Sequence, residues 1–196
     1  MRKGQATRQR IVDRAIASAS QDGIDTLTIG ALAAELGMSK SGLFTHFGSK
    51  EALQIEVVDE TVRRFTEEVV RPALALPPGK NQLRRMFGDW VAWSFDDTRP
   101  GGCPLAAAAF DFDGQPGDVR QRLAENIALW RQVLRNAVEA AKAVDLAATV
   151  DSDDLVLRII GLYFAQHLYH WLLDDNGAGD AALRSFEALL AGPDTP

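Results

Sequence analysis

"TIGALAAELGMSKSGLFTHF", Thr28 to Phe47, reads as two short helices around a tight turn. Ile29, Leu32 and Leu36 recur at helical spacing, and Thr28 stands where a helix N-cap belongs. Gly37 is a helix stop, and Ser39 can cap a second helix running to about Phe47. Leu43 and Phe47, four residues apart, are that helix's inward anchors. Lys40, Ser41, Gly42, Phe44, Thr45 and His46 are then left pointing outward or sideways. A helix of this size is about 12 Å long, and the major groove of B-DNA is about 12 Å wide. Gly42 lets such a helix come close to a groove, at about 1 kcal/mol of helix stability relative to Ala. Helix starts behind Thr28, Ser39 and Ser49 would each offer backbone N–H groups to phosphate. The competing reading of the same spacing is a plain helical hairpin whose polar residues are merely solvated.

The flanking sequence is helical in both directions. Upstream, Ile11, Ala15 and Ala19 mark the inward stripe of a helix from about Thr7 to Gln21, ended by Asp22-Gly23. Downstream, Gly48 breaks the pattern and Ser49 caps a fourth helix expected to reach about Val70, with Glu51 in its first turn suiting the helix dipole. Pro72 and Pro77-Pro78-Gly79 then interrupt it, so a boundary is expected between Val70 and Lys80. Residues 1–50 form a head, 49–70 a connecting helix, and 71–196 a body. The body shows five further helical patterns. They are Leu83 to Phe95, a short alanine-rich one from Pro104 to Asp113-Gly114, Val119 to Val138, Ser152 or Asp153 to about Asp174, and Asp180 to a stop at Gly192-Pro193. The expectation is an all-α chain of about nine helices: a three-helix head with a helix-turn-helix, and a helical bundle behind it.

At 196 residues, 46% hydrophobic and 24% charged, the chain has the composition of an ordinary globular protein with enough length for a core. The one cysteine cannot form an internal disulfide, and no apolar stretch follows the basic start, so no signal peptide is expected and the cytoplasm is. The apolar tract 159–173 is interrupted by Gln166, His167 and His170 and is too short to span a bilayer. The net charge of −6 argues against nucleic acid until its distribution is read. Residues 1–50 carry seven Lys/Arg against four Asp/Glu, and residues 51–196 carry fourteen against twenty-three. A basic head on an acidic body can bind phosphate through its local field.

The ungapped stretch from Thr7 to Leu53, "TRQRIVDRAIASASQDGIDTLTIGALAAELGMSKSGLFTHFGSKEAL", resembles the DNA-binding domain of the TetR family of bacterial transcriptional regulators. The resemblance implies an all-α homodimer, each subunit having a DNA-binding head and a ligand-sensing, dimerising body. It also implies DNA contacts at Thr28, Lys40, Ser41, Thr45, His46 and Lys50; the helix geometry adds Ser39, Gly42 and Phe44. One departure stands out, since the family usually has Tyr where this chain has Phe44. Without a hydroxyl, Phe44 cannot bond a phosphate, and packing or contact with a thymine methyl is expected instead. In the body, "RPGGCPL" at 99–105 is similar to one subgroup of the family.

Aromatic residues are concentrated in the body. Trp90, Trp93, Phe110, Trp130, Tyr163 and Trp171, with His167 and His170, are the candidate lining of an effector pocket; core filling is the alternative for any one of them. Cys103, before Pro104 at a helix start, is a candidate oxidant sensor or a small structural residue. His167 and His170 share a helix face, but no third ligand stands at metal-site spacing, and Asp111 and Asp113 lack the remaining ligands of a calcium loop. No metal, cofactor or catalytic residue is assigned. An enzyme reading lacks a nucleophile with a base. The eighth helix is apolar around much of its circumference and so needs two partners, the core and the same helix of a second copy, which gives a two-fold interface through the last two helices. The expected function is an effector-responsive regulator, most simply a repressor that binds a palindromic operator as a homodimer and is released by a small apolar or amphipathic ligand. The alternatives are the same head with redox sensing through Cys103, and a small-molecule-binding protein or enzyme.

Overall fold

The computed structural model describes residues 3–191, and its regular secondary structure is helical. The elements are α1 (Lys3–Asp22), α2 (Ile29–Glu35), α3 (Lys40–Phe47), α4 (Lys50–Phe65), a π-helical turn (Thr66–Val70), α5 (Arg71–Leu74), α6 (Lys80–Trp93), α7 (Pro104–Asp111), α8 (Asp118–Lys142), α9 (Ser152–Leu173) and α10 (Ala178–Ala191). No strand occurs among the described residues. The expected stop at Gly192-Pro193 lies outside them.

The helix starts follow side-chain chemistry. Thr28, Ser39 and Ser49 each accept a hydrogen bond from the backbone N–H three residues on, at 3.1, 3.1 and 3.0 Å. Asp151 does the same for α9 through Asp154 N–H at 2.8 Å. Gly37 and Gly48 close α2 and α3 with φ of +64° and +77°, a region where a Cβ is strained.

The fourth helix departs from expectation at its far end. Pro72 does not stop it: α4, the π turn and α5 follow one another without a break to Leu74. A proline inside an α-helix lacks one N–H and presses its ring on the carbonyl four residues back. Here the preceding turn is widened, with Arg71 N–H reaching Thr66 C=O, five residues back. That one wider turn makes room for the ring, which is why the pattern reads as a break and folds as a helix.

The chain gathers into two compact units. The first holds residues up to Arg64 together with Asp96–Asn126; the second holds Phe65–Phe95 with Ile127 onward. The first unit is built around Ile11, Ala15, Leu32, Leu43, Leu53 and Val57, with Ala108, Phe112 and Leu123 packed on the same core. Segment 96–126 therefore folds with the head, although the sequence pattern groups it with the helices that follow. Its footing is Gly101. Gly101 N–H faces Ser20 Oγ at 3.3 Å, and a Cβ on residue 101 would sit 1.9 Å from the Ser20 carbonyl oxygen. Arg122 on α8 pairs with Asp59 on α4 at 2.5 Å in the same unit.

In the second unit, Leu83, Phe87 and Val91 of α6, Leu155 and Ile159 of α9 and Phe186 of α10 are buried. Phe87 and Phe186 stack at 4.4 Å between centroids. Asp145 accepts from Lys80 N–H at 2.8 Å and so caps α6 from a distance of 65 residues in sequence.

Two stability outcomes follow from the first unit. Gly101→Ala forces its methyl into backbone that cannot yield, and should lower the stability of the unit by about 1–3 kcal/mol in urea unfolding. A loss under about 0.5 kcal/mol would mean that the 99–103 loop is not seated on α1. The second outcome concerns Glu60 on α4. It accepts from Arg63 at 2.7 and 2.8 Å and from Arg64 at 2.9 Å. The Arg63 bonds first, and then Arg64, hold its carboxyl at about 2 rather than 4.5, against the opposing effect of burial. The folded value lies below the unfolded one, so this stability is complete above pH 4.5 and is lost as pH falls toward 2. Glu60→Gln should therefore cost on the order of 1–2 kcal/mol at pH 7, discounted for the exposure of Arg63, with the difference from wild type closing as pH falls through that window.

Candidate DNA interface and aromatic cluster

Helix α3 presents the arrangement that the sequence calls for. Leu43 and Phe47 are buried, while Lys40, Ser41, Phe44 and Thr45 are exposed and Gly42 and His46 half-buried. Phe47 is also held from above: the Arg8 guanidinium lies 4.7 Å from its ring centroid and is ion-paired with Glu56 of α4. Helices α1 and α4 thereby fix the pitch of α3. Phe44, at 51% exposure, has half its ring in solvent at the centre of the outward face, an expensive place for an aromatic side chain unless something covers it.

The polar groups of this face divide into those engaged locally and those that are not. Ser39 Oγ caps Gly42 N–H and lies 3.3 Å from Ser41 Oγ. Gly42 has a local reason beside any close approach, because a Cβ there would stand 3.0 Å from Ser39 Oγ. Thr45 donates its hydroxyl to the Ser41 carbonyl at 2.9 Å, which leaves its methyl and its oxygen lone pairs outward. Lys50 donates to the Asp25 carbonyl and stands 3.7 Å from the Asp25 carboxylate. Thr28 is exposed and caps α2.

Part of the positive charge of the first unit is neutralised internally. Arg8 pairs with Glu56, Arg14 with Glu35, and Arg64 with Asp13 and Glu60. Lys40 and Arg10 make no ion pair among the described residues.

The second unit brings four of the expected pocket residues together and adds one that sequence reasoning missed. Trp90, Trp93 and Trp130 surround Phe65, whose ring meets them edge-on at 6.2, 5.5 and 5.0 Å. Trp90 also meets Trp130 edge-on at 5.0 Å and stacks on Tyr163 at 4.0 Å. His167 lies beyond Tyr163, with ring centroids 6.3 Å apart. Burial first, and the neighbouring His170 second, push its pKa down, so the ring is neutral at ordinary pH. Phe65 was passed over because it stands at the end of the helix stripe that joins head to body, where its apolar character reads as helix packing.

A buried polar chain runs beside the rings. Tyr163 OH and Ser94 Oγ are 2.8 Å apart, and Gln166 Nε2 stands 3.4 Å from Ser94 Oγ. Gln166, like Ser94, is hidden from sequence reasoning: one polar residue in an apolar helix carries no sign of which face it takes.

The other expected pocket residues lie elsewhere. Phe110 is 67% exposed on α7 in the first unit, because Leu105, Ala108 and Phe112 are the residues turned onto that unit's core. His170 packs edge-on with Phe95 and Trp171, and its Nδ1 is 3.3 Å from the Asp175 carbonyl; it serves the end of α9 rather than the cluster. Trp171 is partly exposed beside it. Cys103 is a free, buried cysteine at the start of α7. The described residues contain no group of His, Cys, Asp and Glu able to hold a metal, and no helix long and apolar enough to cross a membrane.

The relatives agree with this architecture. A family described as bacterial regulatory proteins, tetR family, matches residues 11–57, and one described as tetracyclin repressor-like, C-terminal domain, matches residues 79–186, more than half of the chain. A TetR transcriptional regulator from Chloroflexus aurantiacus J-10-FL is 26% identical over 98% of both chains, with a TM-score of 0.87. Two more distant structures share the fold. AibR, in complex with isovaleryl coenzyme A and operator DNA, is 16% identical over 93% of this chain and 97% of its own, with a TM-score of 0.74. The ketosteroid transcriptional regulator KstR2 of Mycobacterium tuberculosis is 15% identical over 95% and 94%, with a TM-score of 0.71. No functionally curated protein matches the sequence. With a helix-turn-helix whose reading helix is anchored by Leu43 and Phe47, and with both parts of the family's pattern present, this chain belongs to the TetR family of DNA-binding transcriptional regulators.

Proposed function

We propose that the protein is a homodimeric repressor that binds a palindromic operator through α3 and lets go when a small apolar or amphipathic ligand enters the body. DNA reading is assigned to residues 1–50, and effector sensing and dimerisation to 71–196, with α4 and its continuation joining them. The observation that carries the reading is α3 itself, with two buried anchors and every other side chain on an open or half-open face. Lys40, Lys50 and the α3 N-terminus supply phosphate contacts, while Ser41, Thr45 and His46 read base edges. Phe44 covers its exposed ring against sugar or a thymine methyl.

Two observations support the rest. On α9, Leu157, Leu168 and Leu172 are exposed, with Gly161 and Ala165 between them at helical spacing, and Leu183 of α10 is partly exposed. A two-fold pairing of α9 and α10 would cover this face and set the spacing of two heads on successive turns of DNA, about 34–36 Å. For release, the chain passes from one compact unit to the other at 64/65, 95/96 and 126/127, and Phe65, Trp93 and Trp130 stand within four residues of those passages. A ligand that separates their rings moves all three passages and favours a conformer with the wrong head spacing. AibR, crystallised with isovaleryl coenzyme A and operator DNA, shows this fold binding both kinds of partner.

Fluorescence anisotropy with the operator and mismatched variants tests the DNA assignments. Affinity should fall with salt, with a log–log slope of about −0.9 per phosphate neutralised. Lys40→Ala should weaken all sequences alike and make that slope shallower by about 1, whereas Thr45→Ala should change the ranking of sequences. A salt-independent affinity, or identical effects of the two substitutions on matched and mismatched sites, would contradict the assignment.

A further inference from the structure

The aromatic cluster of the second unit is edged by polar atoms that the protein itself does not satisfy. Gln166 is 2% exposed, and its Oε1 has no hydrogen-bond partner in the protein. If the amide is turned over, the other end of the group is left without one instead. Trp130 Nε1–H and His167 Nδ1 are likewise buried without partners. Such groups cost free energy where they stand, and native proteins rarely leave several together. A run of contacts links them along the cluster: Gln166 reaches Ser94 at 3.4 Å, Ser94 reaches Tyr163 at 2.8 Å, and the Tyr163 ring stacks on Trp90, which meets Trp130 at 5.0 Å.

From these contacts we infer that the cluster of Phe65, Trp90, Trp93, Trp130 and Tyr163 binds an uncharged, flat aromatic molecule bearing one hydrogen-bonding substituent, which Gln166 and Trp130 hold by its polar edge. The flatness comes from the walls, since planar rings present faces and edges to a planar guest. The polar edge comes from the orphaned atoms. Trp130 can only donate and so asks for an acceptor, while the unpartnered oxygen of Gln166 asks for a donor; one hydroxyl supplies both. The lack of charge comes from the interior. Among the described residues, the buried polar side chains of the second unit are Gln82, Ser94, Ser152 and Gln166, none of which is ionised. A carboxylate or ammonium entering there would lose its water and gain no counter-ion. This inference rests on the effector-responsive reading and narrows it: coenzyme A thioesters and other polyanions are disfavoured at this cluster.

Four probes of one skeleton test it: 2-naphthol, naphthalene, 2-naphthoate and 2-naphthylmethylammonium. Binding is read by tryptophan fluorescence and by the shift in melting temperature, and release of operator DNA is measured separately. Binding of 2-naphthol about tenfold tighter than naphthalene is expected, with the two ions at least as weak as naphthalene. In Gln166→Leu and in Trp130→Phe the preference for the naphthol over naphthalene should shrink toward parity, with naphthalene itself still bound. Retained naphthalene binding shows that the variants are folded. Tighter binding of either ion, no binding by any probe, or a naphthol preference untouched in both variants overturns the inference. If 2-naphthol binds as described and the operator stays bound, the ligand class stands and the effector-responsive reading fails. If 2-naphthoate releases the operator, the effector reading stands and the ligand class fails.

Discussion

Three times the chain passes between its two compact units, and an aromatic side chain of the second unit stands at or near each passage. Phe65 is the first residue after one, Trp93 lies just before another, and Trp130 just after the third. Their rings meet edge-on around Phe65 at 5.5 and 5.0 Å. Each such contact is worth about 0.5–1.5 kcal/mol beyond the area it buries. The three rings, each near a passage in the chain, are thus held together by one small set of weak, directional contacts. A guest of modest affinity can compete with contacts of that size, which is what a switch requires.

At the other end of the chain the requirement is the opposite. A reading helix must not move relative to its frame, and α3 has only eight residues with which to hold itself. Its fixity comes from outside: Leu43 and Phe47 reach into the core shared with α1 and α4, Arg8 covers Phe47, and Ser39 and Gly48 close the two ends. The outward side chains then contribute little to stability and can be chosen for what they touch. The internal pairing of Arg8, Arg14 and Arg64 has a further consequence. The electrostatic footprint is smaller than a count of Lys and Arg suggests, and among the described residues Lys40 and Arg10 carry its unpaired charge.

The head was almost fully legible in the sequence, because a helix-turn-helix is specified locally: cap, stripe, glycine stop, cap. Thr28, Gly37, Ser39 and Gly48 act as their residue types require. Pro72 misled because a proline signals a break only where the ladder cannot widen, and whether a π turn precedes it depends on packing that no local pattern records. In the body, Trp90, Trp93, Trp130 and Tyr163 could be singled out by type, but not the partners that bring them together. Phe65 and Gln166 belong to helices whose patterns are explained without them, and Phe110 is attractive by type yet lies on the side of α7 away from Leu105, Ala108 and Phe112. Position in a long helix does not reveal which of several neighbours each face will meet.

The central claim is that the cluster around Phe65 and the reading helix belong to one two-state system. Amide hydrogen exchange over the whole chain, with and without operator DNA, tests it most directly and needs no knowledge of the effector. Operator binding should change protection in the head around residues 28–50 and also at 65–71, 90–95 and 127–131, far along the chain from any base. Changes confined to residues 28–50, with the three passages exchanging as they do in the free protein, would contradict the account.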